Sequence, residues 1–211
     1  MFSEDSFNGW DMSAAGMAGV WADNNDRESI FNAFQSREVY ATTGPRISLR
    51  VFAGWDFTVN DLKGNDLKGN DLSEVGYAKG VPMGAVLNGG SSKKPLSLLI
   101  TTDKDPLNAN LDRVQVIKGW LDRQGNKHEK IFNVAWAGER VLDAQGKITA
   151  IGNTVDMDTG KVNNTIGTES FNTVWHDPEF NQQEDAFYYI RVLQITNVHH
   201  SYLDALDLGK K

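Results

Sequence analysis

The chain has no cysteine. Disulfides, thiolate zinc sites and cysteine nucleophiles are therefore excluded. That absence leaves the compartment open, because cytoplasm and a bacterial periplasm both suit such a chain. No run approaches the ~20 consecutive apolar residues of a membrane span. The opening "MFSEDSFNGWD" lacks the basic start and apolar stretch of a secretory leader. Positive charge is in deficit, with 21 lysines and arginines against 28 aspartates and glutamates, a net charge of −7. An acidic chain repels phosphate backbones and its cations are scattered, so neither nucleic acid nor a membrane is expected as a partner. Histidine is scarce, at four in 211 residues. His128, His176, His199 and His200 form no HExxH or comparable ligand spacing. GxSxG, glycine-rich phosphate loops and paired-carboxylate motifs are also missing.

What remains reads as a soluble β protein with one clear helix near its front. The segment "NDRESIFNAFQSREVYATTGPR" (25–46) has Asn25 placed to cap a helix, with Glu28 three residues on as in a capping box. Ile30, Phe31 and Phe34 share one face at helical spacing, and the helix is expected to stop near Arg37. After Pro45 the period changes. Ile47, Leu49 and Val51 alternate with Arg46, Ser48 and Arg50, which is the pattern of a half-buried strand. Comparable runs follow at 96–102, 113–121, 130–136 and 187–195. "NGGSSKKP", "DRQGNK", "DAQGK" and "DMDTGK" supply turns between them. Strands separated by such loops imply an antiparallel β-sandwich. The expected fold class is mainly β, with residues 1–45 a helical front segment, its first ten residues loose, and 46–211 a sandwich-like domain.

Several clusters invite a site reading, each with an ordinary alternative. "DLKGNDLKGNDL" (61–72) repeats a pentamer and spaces Asp61, Asp66 and Asp71 evenly. A duplicated surface loop explains it better than calcium, which needs about six or more converging oxygens. In "DKDPLNANLD", Asp103, Asp105, Asn108, Asn110 and Asp112 are the candidate metal ligands. The stretch lacks the glycine turn and closing glutamate of an EF-hand loop, and Asp and Asn in turns commonly bond their own backbone. His176, Asp177 and Asp156 would make a cryptic catalytic site only if they converged. His176 is expected in a loop. His199 and His200 would point to opposite faces if they lay on a strand. Six tryptophans offer either core packing or, if exposed in line on a sandwich, a sugar-stacking platform.

A resemblance adds to this reading. "AGVWADNNDRESIFNAFQSREVYATTGPRISLRVFAGWDF", "GYAKGVPMGAVL", "KDPLNANLDRVQVIKGWLD", "VAWAG", "IGNTVD" and "AFYYIRVLQI" resemble, in order, the C-terminal third of an uncharacterised bacterial family, domain of unknown function 3604. That family is similar to the PHP (polymerase and histidinol phosphatase) superfamily of metal-dependent phosphoesterases. The resemblance implies that the front helix closes a catalytic barrel and that a β-sandwich extension follows. The ligands of such proteins lie upstream, in motifs of the kind DLHxH and SDxH, and neither occurs here. No catalytic residue or cofactor carries over; a divalent metal is expected only in an upstream barrel. The ending "ITNVHHSYLDALDLGKK" departs from the family pattern.

The reading is thus a non-catalytic C-terminal accessory β domain of a PHP-like metal-dependent hydrolase. A carbohydrate- or ligand-binding β-sandwich module is the alternative. The expected partners are an upstream barrel of the same protein or a second copy docked through Ile30, Phe31 and Phe34. The stripe is expected to be covered, either by that second copy or by folding back on the sandwich near Trp21 or Trp55, since exposing each large apolar side chain forfeits about 1.5–3 kcal/mol.

Overall fold

A computed structural model describes residues 16–63, 70–89 and 94–209. The expected loose N-terminus, Trp10, Asp66 and the side chain of Asp71 lie outside the described residues. The chain folds as an antiparallel β-sandwich with a small front unit. In that unit β1 (Met17–Val20) pairs with β2 (Val39–Thr42), and α1 (Arg27–Ser36) connects them. The cap of α1 is Asp26 rather than Asn25. Asp26 is extended, at φ −132° and ψ 167°, and its carboxylate accepts from the Ser29 N–H at 2.8 Å. Glu28 makes no capping box, because the helix begins one residue later than the pattern suggests. Arg37 ends it in the left-handed region, at φ 62°.

The first sheet runs β4 (Gly80–Pro82), β3 (Ser48–Gly54), β5 (Ser97–Asp103), β8 (Ser170–His176). The second runs β7 (Lys127–Trp136), β6 (Leu111–Leu121), β9 (Ala186–Gln194). All pairings are antiparallel. The facing sheets share one core, in which Leu98, Ile100 and Phe171 from the first meet Leu111, Val114 and Val116 from the second. Period-2 geometry sends Leu99 the other way. It joins Phe52, Phe57 and Leu72 in a second core on the outer face of the four-stranded sheet, under α2 (Asn70–Lys79). This explains the unbroken apolar run of β5, which is covered on both faces.

Several elements were not anticipated, and three of them bear on the packing. α2 carries Gly76, a poor helix residue, because a Cβ there would stand 2.4 Å from the Phe52 ring. Glycine lets the helix lie directly on the sheet. β8 places His176 at a strand end, not in a loop, and alternates Phe171 and Trp175 toward the main core. α3 (His200–Asp207) follows His199, so the two histidines sit at a helix start instead of on a strand. Their rings lie 4.1 Å apart, and both side chains are exposed.

The front unit is fastened to the sandwich through Arg50 and Trp21. Trp21 Nε1 donates to the Leu49 carbonyl at 2.8 Å, and the Arg50 guanidinium lies 4.5 Å from the Trp21 ring centre. Arg50 also reaches Glu38 of the front unit (3.4 Å) and the hydroxyl of Tyr77 on α2 (2.8 Å). One cation thus joins three elements. Among the described residues the apolar stripe does not fold back on the sandwich. α1 buries Ala33 and leaves Phe31 59% and Phe34 49% exposed, with Ile30 half-buried. Trp21 is instead occupied by Arg50 and Tyr40, and Trp55 by Phe180. Among the described residues, no helix is long and apolar enough to cross a membrane.

Candidate functional site: a cleft at the open side of the sandwich

Among the described residues four strands face three, so one side of the sandwich lacks a covering strand there. A cleft of about 870 Å³ opens there. Its floor is the inner face of β3 and β5, with Leu49, Val51, Ala53 and Leu98. One wall is β9 from Ala186 to Ile190, and the other is the segment 81–89. Arg37 and Tyr40 of the front unit stand at its rim, and Trp55 and Phe180, packed edge to face at 5.4 Å, line it as well. Burial pushes the Tyr40 phenol above its ordinary value.

Two residues of the lining, Lys118 and Tyr188, belong to a buried polar lock. Lys118 projects inward from β6 at the same parity as Val114 and Val116, with 3% of its surface exposed. Its Nζ donates to Asp177 Oδ2 at 2.7 Å and to the Glu179 carbonyl at 2.7 Å. The Tyr188 hydroxyl donates to the same Asp177 oxygen at 2.7 Å, while the Glu179 N–H serves Oδ1 at 2.9 Å. Asp177 is 1% exposed. Burial, and then the bond to the Asp177 carboxylate, push the Tyr188 phenol far above the usual tyrosine range. Every charge in the lock has a partner, which is the condition for burying an ion pair without a large penalty. Its visible work is to pin the loop after β8 across one end of the sandwich; an ion pair between Lys130 and Glu179 assists.

The candidate metal ligands are engaged by protein donors. Asp103 accepts from Ser48 Oγ at 3.2 Å. Asp105 accepts from the N–H groups of Arg46 (2.9 Å) and Leu107 (3.0 Å) and from Asn108 Nδ2 (2.9 Å). The bond from the Arg46 N–H is the main reason its carboxyl lies below the usual range. Asn108 Oδ1 accepts from Asn197, and Asn110 donates to the carbonyls of Asn164 and Ile166. Asn110 Oδ1 is buried without a hydrogen-bond partner among the described residues. Asp112 pairs with Arg113 at 2.7 Å, and its Oδ1 lies 2.6 Å from Arg140 Nη2 in an ion pair without hydrogen-bond alignment. Among the described residues, no three His, Asp or Glu side chains form a group able to hold a metal. Asp61 caps the turn at Thr58 and pairs with Lys79.

His176, Asp177 and Asp156 do not converge. Asp177 is bound to Tyr188 near the start of β9, whereas Asp156 belongs to a turn beyond the other end of that strand, where Asn153 bridges Thr196. His128 stacks on Trp120 and bonds Asp122 at 2.9 Å on the β6–β7 hairpin. All five described tryptophans are half-buried and none is fully exposed. Residue-level reading missed Lys118 and Tyr188. The available signal was a lysine at an inward position of an otherwise apolar alternation.

Fold and cleft together define a two-sheet antiparallel β-sandwich with a helical front unit and an open, largely apolar cleft. Residues 2–211 match the model of the family described as "Protein of unknown function (DUF3604)". The chain belongs to that family. No curated protein and no solved structure matches it.

Proposed function

We propose that this chain acts as a non-catalytic accessory β module of a PHP-like metal-dependent hydrolase, docked to the catalytic barrel through α1. The observation that carries this reading is the state of that helix. Phe31 and Phe34 point outward, yet the unit bearing them is fixed to the sandwich by Trp21, Glu38 and Arg50. A rigid apolar patch of this kind suits a constitutive contact better than a solvent-facing surface. The test is co-elution of the chain with a separately expressed barrel from a longer member of the family. The wild type should co-elute and the Phe31→Asp/Phe34→Asp variant should not. A wild-type chain that elutes alone, or sediments as a dimer that the variant dissociates, would assign the patch to no barrel.

A second reading, a ligand-binding module, is favoured by the cleft. It combines an apolar floor with a polar rim, the usual make-up of a binding site. The described tryptophans are engaged in packing, so a ligand would meet the aliphatic floor, Trp55 and Phe180 rather than a row of exposed indoles.

A further inference from the structure

We propose that the cleft receives an extended peptide, which pairs with the free edge of β9 at residues 186–190 and completes the three-stranded sheet as its fourth strand. The inference rests on the ligand-binding reading and names the class of ligand.

β9 is an edge strand. Among the described residues it pairs only with β6. Alternate residues of an edge strand turn N–H and C=O groups away from their one neighbour. Here those groups face the cleft, because consecutive residues Asp185 to Ile190 line it, including Phe187 and Tyr189, whose side chains lie on the outer face. A row of donors and acceptors at strand spacing is met in full only by another backbone. The opposite sheet extends one strand further, through β3 to β4. Leu49, Val51 and Ala53 are half-buried against the shared core and still line the cleft on that side. Two packed sheets stand about 10 Å apart, so a strand beside β9 would set alternate side chains onto these residues.

The far wall favours β9 as the pairing edge. Pro82 in β4 has no N–H to offer, and the Met83 N–H is already given to the Val51 carbonyl. Charge adds a polarity. Glu184 and Asp185 stand where β9 begins, and Arg37 lines the cleft on the side of Gly84. The fitting peptide has about five residues in the groove, roughly 17 Å long. Its apolar side chains alternate, with a basic residue toward Glu184–Asp185 and an acidic one toward Arg37.

The probe is the capped peptide Ac-Lys-Val-Thr-Val-Thr-Val-Glu-NH2, titrated into the isotope-labelled full chain and followed by amide resonances and hydrogen exchange. Shifts concentrated at 186–190, with exchange there slowed at least about tenfold, are expected for new ladder bonds. N-methylation of alternate peptide residues should weaken binding by about tenfold or more, as lost backbone bonds require. Glu184→Lys/Asp185→Lys should weaken the parent peptide a few-fold and favour one with its end charges exchanged. Equal binding of the N-methylated peptide would overturn strand addition while leaving the cleft a ligand site. Shifts at β4 instead of β9, or a concentration-dependent dimer joined through β9, would also overturn it. If neither peptide nor anilinonaphthalene sulfonate bound, the ligand-binding reading itself would fail.

Discussion

The Lys118–Asp177–Tyr188 lock offers the sharpest test of the interior. Lys118→Met keeps the length of the side chain and removes its charge. Asp177, 1% exposed, would retain the Tyr188 hydroxyl and the Glu179 N–H but lose its counter-ion. Breaking a buried pair from one side costs about 3–5 kcal/mol, because an uncompensated charge remains in low dielectric. For a chain of this size each kcal/mol moves the midpoint by about 2–4 °C, so a fall of roughly 6–20 °C is expected. The triple variant Lys118→Met/Asp177→Leu/Tyr188→Phe removes every charged or hydroxyl member together. Only the Glu179 N–H and carbonyl lose partners, so about 1–3 kcal/mol is expected for the triple, a smaller loss than for the single variant. Chemical denaturation of the wild type, single and triple variants decides the matter. A single variant within about 1 kcal/mol of wild type, or a triple less stable than the single, would show that the pair is solvated and the sandwich end open.

Asp26→Ala should lower the urea midpoint, since it removes the acceptor for the Ser29 N–H at the start of α1. Arg50→Ala should loosen the front unit, with faster proteolytic cleavage around 36–46 and a loss of roughly 1–3 kcal/mol, because cation–π and hydrogen-bond contacts to three elements go together. The Asp105 carboxyl is depressed by the Arg46 N–H, so its contribution is present above the ordinary carboxylate range and is lost as pH falls through the lower folded value. Asp105→Asn should flatten the acid limb of a stability–pH curve. The Tyr188 phenol is raised, so its contribution is whole below about pH 10 and declines as pH climbs toward the folded value. Tyr188→Phe should lessen the alkaline loss.

The alternation of Ile47, Leu49 and Val51 and the apolar runs at 96–102 and 113–121 placed three core strands correctly, since pleated strands carry such patterns. β8 escaped notice because Asn172 and Thr173 dilute its inward Phe171 and Trp175. α2 escaped because Gly76 lowers helix propensity for the sake of close packing on Phe52, a tertiary cause that a local pattern does not carry. The apolar face of α1 was legible, but its exposure was not, because burial depends on which face Ala33 chooses. The cleft was illegible for a similar reason. It is made by the difference between four strands and three, a property of pairing order and not of any segment.

The most direct test of the central claim, an accessory rather than catalytic role, is a phosphoester hydrolysis assay on the purified chain with manganese or zinc added. Release no faster than from the metal-containing blank is expected. Turnover that scales with chain concentration, co-purifies with it through successive columns and disappears on its denaturation would contradict the account.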